Sequence, residues 1–284
     1  RQGVRWAGAG EIGRHTGALD PLASGVLPIC FGEATKFSQY LLDADKVYRT
    51  TVIVGERRST GEAEGEIIAE ADASAMTREA VEAVLSQFRG DILQVPPMHS
   101  ALKRDGKPLY ELARRGLEVE REARPVTISR LELESFVPGE RAEVSLLVHC
   151  SKGTYIRSLA EDIGEALGLG GYVAALRRLQ AGPFEESQAL SFEQLQPLRD
   201  REAFDELDTL LLPLDSALQH IPSVSLSDTT ADFLVQGQAV FVPKLPEGPL
   251  LRLYRGGDAQ PQFMGIGEIL DDGRVTPRRL LANM

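Results

Sequence analysis

The sequence predicts an α+β protein: a mixed, mostly antiparallel central sheet with flanking helices, followed by a small β-rich domain. Three observations predict it. β-Branched, alternating runs such as "KVYRTTVIVG" (46–55) and "VSLLVHC" (144–150) read as half-buried strands. Amphipathic segments at 77–89 and 155–167 stand between such runs. Beyond about residue 212 the texture changes to short β-like runs between Gly and Pro turns.

Taken in order, the opening "RQGVRWAGAGEIGR" has neither a strand pattern nor a clear helix face, and residues upstream of Arg1 are expected to be missing. Residues 21–45 read as a short turn or helix start, an apolar stretch from Val26 to Phe31, and a helical piece carrying Phe37, Tyr40 and Leu41. After the first strand, "ERRSTGEAEGE" reads as a polar loop and "IIAEA" as a second strand. In "TREAVEAVLSQFR", Thr77 fits the N-cap, Val81, Val84, Leu85 and Phe88 form the apolar stripe, and Gly90 closes the helix. The stretch 96–125 is proline-punctuated and locally basic, with "LYELARRG" as a short helix inside it. Strands are predicted at 126–134 and 143–150, with Val144, Leu146, Val148 and Cys150 on one face. In "YIRSLAEDIGEAL", Ile156, Leu159, Ile163 and Leu167 form the stripe and Gly168 ends it. "LLPLDSALQHIPSVSLS" is a proline-marked linker into "QAVFV", "LLRLYRG", "FMGIGEIL" and "RVTPRRLLA". These signals divide the chain into a first domain, 1–219, with the locally basic stretch at about 96–125 inside it, and a second domain, 220–284.

Composition narrows the function. Apolar residues make 43% and charged residues 26%, a globular balance that supplies a sizeable core. No apolar run approaches the ~18 residues of a membrane helix, and no signal peptide is evident. Cys30 and Cys150 give neither a disulfide framework nor a zinc pattern, so a reducing cytoplasm is expected. The net charge of −11 argues against an all-over nucleic-acid binder but leaves room for a local basic face.

The chemistry-bearing residues are few. His15, His99, His149 and His220 form no ligand motif, and neither G-x-S-x-G nor H-E-x-x-H occurs, so no metal or serine triad is expected. Asp20, in "HTGALDPLASG", stands without a second acid beside it. Asp before Pro is a common helix start, so the stretch by itself reads as a cap rather than a catalyst. Arg157 shifts that balance. It lies in the first turn of a helix, off the apolar stripe, where a cation opposes the macrodipole by about 0.3–1 kcal/mol. A carboxylate partner held close by would offset that cost, whereas a solvated arginine would leave it unanswered. "SKGTYIR" (151–157) is a strand-to-helix junction of the kind that suits anions, but it is not a P-loop. Tyr48 reads as a core or edge aromatic, and the basic segment 103–124 as a solvated face.

Together, "HTGALDPLASGVLPICFGEATK", "KVYRTTVIVG", "MHSALKRDGKPLYELARRG", "CSKGTYIRSLAEDIG" and "YVAALRRLQAG" resemble, in order and spacing, the bacterial tRNA pseudouridine-55 synthases of the TruB type. The tail "FMGIGEILDDGRVTPRRLL" resembles their C-terminal PUA-like module. The resemblance implies the pseudouridine synthase fold and isomerisation of a T-loop uridine in tRNA, without metal or cofactor. It implies an aspartate-dependent, base-flipping mechanism in a cytoplasmic monomer. Asp20 matches the essential aspartate and Arg157 its partner. Tyr48 matches the tyrosine that stacks on the extruded base, and His15 the histidine that fills the space the base leaves. Tyr155 and Leu176 match further pocket residues. The basic segment, with Lys103, becomes an RNA-contacting insertion, and Arg177 and Arg178 become phosphate contacts.

The match has three departures. Only 14 residues precede His15, where the family carries a strand and helix with a Lys-Pro motif. Arg14 stands where the family has Gly. The loop after the Tyr48 strand reads "STGEAEG" in place of a Thr-x-Asp arrangement, with Glu62 as the replacement acid near the Asp20–Arg157 pair. Two other readings compete: a catalytically impaired tRNA-binding protein of the same fold, and a two-carboxylate hydrolase using Asp20 and Glu62.

Overall fold

The structure is a computed structural model that describes residues 4–5, 12–100, 102–104, 106–256 and 261–282. Contacts gather the chain into two compact units. One comprises Ala18–Val26 with Asp43–Ser187; the other comprises Arg1–Gly17, Leu27–Leu42 and Gln188–Met284.

The first unit is built on a seven-stranded sheet. Its strands are β1 (Ala23–Gly25), β2 (Lys46–Val54), β3 (Gly90–Gln94), β4 (Arg124–Val137), β5 (Ala142–Cys150), β6 (Gly171–Ala181) and β7 (Phe184–Glu185). The order is β7-β6-β2-β5-β4-β3, antiparallel throughout, with β1 added parallel to β6. Two helices, α1 (Arg78–Leu85) and α2 (Ile156–Ala166), bury their stripes with the sheet. Val81 and Leu85 from α1 and Ile156, Leu159 and Ile163 from α2 share one core with Val144, Leu146, Val148 and Cys150 of β5. Strand and helix periodicities therefore meet on the same side of the sheet. Thr77 caps α1 by accepting from the Ala80 N–H at 3.2 Å. The helix is shorter than expected: it gives way to a 3₁₀ turn at Ser86–Phe88, and Gly90, at φ +87°, opens β3. The close approach of α2 to β6 depends on glycine, since a Cβ on Gly164 would lie 2.2 Å from the Gly171 nitrogen.

The polar loop after β2 is more ordered than its composition suggests. Glu56–Arg58 pairs antiparallel with Ile67–Glu70 in a separate hairpin. The Arg58 guanidinium closes its turn by donating to Glu56 at 2.6 Å and to the carbonyls of Ala63 and Gly65 at 2.6 and 3.0 Å.

The second unit contains a five-stranded sheet of β8 (Ser223–Leu226), β9 (Val240–Phe241), β10 (Leu250–Arg255), β11 (Gln262–Ile269) and β12 (Arg274–Leu280). The order is β8-β10-β11-β12-β9, with β8 parallel to β10. Helices α3 (Phe192–Asp200) and α4 (Phe204–Thr209) precede it, and α5 (Asp228–Val235) lies within it. This β-rich ending also carries a helix that its strand-like runs did not suggest, α5. Ser227 caps it by accepting from the Thr230 N–H, and Ala231 and Leu234 enter the core of this sheet. Phe37 packs against Phe263 within the same unit, ring centroids 5.5 Å apart and planes tilted by 58°. Among the described residues no helix is long and apolar enough to cross a membrane.

Candidate active site

The core face of the central sheet continues into the site. Along β2, Val54, Val52, Thr50 and Tyr48 alternate onto one face, the first three buried and Tyr48 half-buried. Across β6, Leu176 stands opposite Thr50 and Arg178 opposite Tyr48. Leu176 also stands opposite Ala23 of β1, which brings the segment before β1 over this end of the sheet.

That segment carries Asp20. It does not start a helix. The Asp20 carbonyl accepts from the Ala23 N–H at 2.8 Å, so Asp20-Pro21-Leu22-Ala23 is a β-turn leading into β1. Pro at the second position of such a turn presets its φ.

Arg157, the second residue of α2, reaches the Asp20 carboxylate in a fork. Nε donates to Oδ2 at 3.0 Å and Nη2 to Oδ1 at 3.1 Å. Nη2 also donates to the His99 carbonyl at 2.9 Å. The arginine side chain is 4% exposed and the aspartate 34%, so the guanidinium is enclosed and the carboxylate opens to the outside. Glu62 closes the other side. Its Oε1 lies 3.0 Å from Arg157 Nε, but that N–H points at Asp20 and leaves Oε1 without a donor. Burial pushes the Glu62 carboxyl above its ordinary range, Arg157 pulls it down, and the neighbouring Asp20 and Glu64 push it up again. The Glu62 turn is tied to β6 by Ala63 N–H to the Val173 carbonyl, 3.1 Å, and Val173 N–H to the Gly61 carbonyl, 3.0 Å.

Two tyrosines flank this pair. Burial raises the Tyr48 hydroxyl, opposed by the charge of Arg178. Burial likewise raises the Tyr155 hydroxyl, opposed by a hydrogen bond with Ser100 and by Arg124 and Arg157. Among the described residues no cluster of His, Cys, Asp and Glu is placed to hold a metal ion.

Three family models match successive parts of the chain. Residues 5–156 match the N-terminal domain of the TruB family pseudouridylate synthases. Residues 157–219 match the C-terminal domain of tRNA pseudouridylate synthase B, and 222–281 the C-terminal part of pseudouridine synthase II TruB. The chain belongs to the TruB family of pseudouridylate synthases. It is 55% identical over 280 residues to the tRNA pseudouridine synthase B of Stutzerimonas stutzeri, covering 99% of this chain and 90% of that one. With the protein of the same name from Pseudomonas aeruginosa the identity is 54% over the same shares. Among solved structures, a chain of a Cbf5-Nop10-Gar1 complex matches with TM-score 0.65 and 26% identity, over 91% of this chain and 70% of that one. A chain of an H/ACA RNP bound to a substrate RNA containing 2′-deoxyuridine shares the fold, with TM-score 0.66 and 24% identity over 94% and 75%.

Within this TruB-family chain, the other residues singled out in the sequence fall in different places. Asp20, Tyr48, Glu62, Tyr155, Arg157 and Leu176 all belong to the first unit. His15 lies in the second unit, exposed on the strand Ile12–His15, with its Nδ1 2.8 Å from the Gly17 carbonyl. Arg14, on the same strand, is exposed. Lys103 sits on a small hairpin with Lys107–Pro108, and its side chain lies outside the described residues. In the basic segment, Arg121 turns inward, donating to the Pro96 carbonyl at 3.2 Å.

The two arginines expected to contact phosphate part company, because neighbours in a strand point to opposite faces. Arg177 is exposed on the far face and pairs with Glu186. Arg178 is 2% exposed, with Nε donating to the Val26 carbonyl at 2.7 Å and Nη1 reaching toward the Ala18 carbonyl at 3.4 Å. It is therefore not a surface phosphate contact.

Gln94 escaped the sequence reading. It is 2% exposed, and its side-chain amide pairs with both backbone groups of Tyr155: Nε2 donates to the Tyr155 carbonyl at 3.0 Å, and the Tyr155 N–H donates to Oε1 at 2.8 Å. Ser158 Oγ donates to the Val95 carbonyl at 3.0 Å. With the His99 carbonyl on Arg157, the segment 94–99 is laced along the start of α2. The available signal was the lack of any capping side chain before that helix; Tyr155 at the N-cap makes no side-chain cap.

Proposed function

We propose that this chain isomerises uridine to pseudouridine in the T-loop of tRNA, at position 55, as a cytoplasmic monomer acting on the T-arm. The observation that carries the reading is the forked Asp20–Arg157 pair: an enclosed arginine holding a carboxylate that remains open to a ligand. The family relatives named tRNA pseudouridine synthase B support the reaction class.

The reaction breaks the C1′–N1 bond, turns the base and forms a C1′–C5 bond; C5 loses its proton to solvent and N1 takes one up, so the product is an isomer of the substrate. A uridine in a folded tRNA must first leave its stack, at a cost of a few kcal/mol. Tyr48, Tyr155 and Leu176 line one end of the sheet beside Asp20 and give the extruded base an aromatic and apolar enclosure. Arg157 holds the Asp20 carboxylate aimed through its forked hydrogen bonds, so the carboxylate meets the nucleotide without reorienting. Glu62, one methylene longer than the family's aspartate, holds the second acidic position and shares the arginine. His15 fills the space vacated by the base, and the insertion at about 96–125, with Lys103, contacts the RNA backbone. The catalytic domain is 1–219, and residues 220–284 form a PUA-like module that holds the far end of the tRNA.

The test is release of tritium from tRNA carrying uridine tritiated at C5. Release is expected with the unaltered chain, is abolished by Asp20→Asn, and is absent from a transcript whose position 55 is cytidine. Undiminished release by Asp20→Asn overturns the role of Asp20, and release from the cytidine transcript overturns the assigned position.

A further inference from the structure

Arg178 is a buried cation that the reading above does not use. It forms no ion pair among the described residues, although it is 2% exposed. An enclosed guanidinium without a carboxylate is costly, so its hydrogen bonds have to recover much of the solvation it gave up. Those bonds converge on one object. Nε donates to the Val26 carbonyl at 2.7 Å and Nη1 approaches the Ala18 carbonyl at 3.4 Å. In the backbone, the Val26 N–H donates to the Arg178 carbonyl at 2.8 Å. Ala18 and Val26 are the two ends of the segment whose turn presents Asp20. Gly25, at φ +102°, lets this segment lie directly on the strand, since a Cβ there would stand 2.1 Å from the Arg178 carbonyl oxygen. The third nitrogen, Nη2, is buried and has no hydrogen-bond partner. Across the ladder stands Tyr48, the cross-strand neighbour of Arg178 on the same face.

We propose that Arg178 is a positioning residue for the reaction: it clamps both ends of the Asp20 segment and, from its place opposite Tyr48 in the ladder, orients the tyrosine. This rests on the isomerase reading above. A phosphate contact, the role its residue type suggests, would leave the guanidinium outside and free. Here it is inside and committed to backbone. Asp20 then receives its aim from two arginines acting differently, Arg157 on the carboxylate and Arg178 on the chain that carries it.

The experiment uses the full chain with Arg178→Lys, Arg178→Met and Gly25→Ala. Single-turnover tritium release is measured at saturating protein, and tRNA affinity is measured across salt concentrations. Lysine keeps the charge but not the fork, and the Gly25 variant lifts the segment off the strand while leaving Arg178 in place. The expected result is a rate loss of at least tenfold in Arg178→Lys and Gly25→Ala and a larger loss in Arg178→Met. tRNA affinity should stay within threefold and its salt slope should not change. The opposite pattern overturns the proposal: an unchanged rate at saturation, with weaker binding and a log–log salt slope smaller by about 0.9, the mark of one lost phosphate contact. Should Arg178→Met fail to fold, the other two variants decide. Hydrogen exchange over residues 18–26 supplies a readout independent of activity. It should quicken at least tenfold in Arg178→Lys, and unchanged exchange overturns the clamp. An unaltered chain that binds tRNA without releasing tritium refutes the isomerase reading, and the exchange result still decides the clamp.

Discussion

Arg157 and Arg49 lie in the same unit and grip a carboxylate in the same way, yet they sit in opposite surroundings. Arg49 donates to both oxygens of Glu134 at 2.6 and 2.8 Å on the outer face of the sheet, with side-chain exposures of 53% and 30%. Arg157 forks onto Asp20 at 3.0 and 3.1 Å with the guanidinium 4% exposed. The exposed pair has the shorter bonds, but water screens it and either side chain can let go at little cost. The enclosed arginine cannot be resolvated if its partner is lost. Enclosure, more than the number or length of the bonds, separates a site from a surface pair.

The largest expected effect breaks the enclosed pair. Arg157→Met leaves Asp20 without its cation and should lower tritium release by about 100- to 1000-fold, the scale of a lost preorganised electrostatic contact. Arg157→Ala adds a cavity and should cost about 3–5 kcal/mol in urea unfolding, as for a broken buried pair.

Gln94→Leu comes next. It removes the amide that satisfies the Tyr155 N–H and carbonyl, and leaving those groups unpaired should cost about 1–3 kcal/mol. Because Tyr155 is the residue before α2 and Arg157 is in that helix's first turn, the rate should fall more than tRNA affinity does, measured by single-turnover release against filter binding.

A third prediction contrasts the paired Asp20 with an unpaired carboxylate on α2, the helix that carries Arg157. Asp162 forms no ion pair among the described residues, and burial followed by the charge of Glu165 pushes it up to about 6. A raised carboxyl favours the folded state while it is protonated. That contribution is complete below about pH 4 and is lost as the pH rises through about 6. Asp162→Asn escapes the loss, so its stability relative to the parent should grow by about 1–2 kcal/mol between pH 4 and pH 8, with allowance for partial exposure. Parallel urea titrations at the two pH values measure it, and a constant difference would contradict the assigned cause.

The smallest effect sharpens the comparison from the other side. Arg49→Gln should change stability by less than about 1 kcal/mol and leave the rate of tritium release unaltered.

Much of this architecture was legible in the sequence because it is periodic. The faces of β5, α1 and α2 follow from spacings of two and of three to four, and the buried residues are the ones those spacings select. The resemblance carried the family. The helix α5 escaped because eight residues with a weak apolar stripe sit among strand-like runs. Its signals, Ser227 before it and Gly237 after it, were present but unweighted. The Asp20 segment read equally as a helix start, since Asp-Pro suits both a cap and a turn; the pairing of β1 with β6 selects the turn. Arg177 and Arg178 looked alike because composition carries no facing. One residue of register sends the first to an exposed pair with Glu186 and the second beneath the Asp20 segment.

By itself, the sequence determined the elements, the family and the short roster of groups able to do chemistry. It even showed that Arg157, a cation at a helix N-terminus, called for a partner. Only the tertiary structure decided which partner, because Asp20 and Arg157 are 137 residues apart and meet through the pairing of strands distant in sequence. It also decided that Glu62 shares the arginine without a hydrogen bond, that Gln94 holds Tyr155, and that Arg178 is buried. Local periodicity specifies which face of a strand or helix is apolar. The solvation of a charge depends on everything packed around it, and that is settled only when the whole sheet has closed.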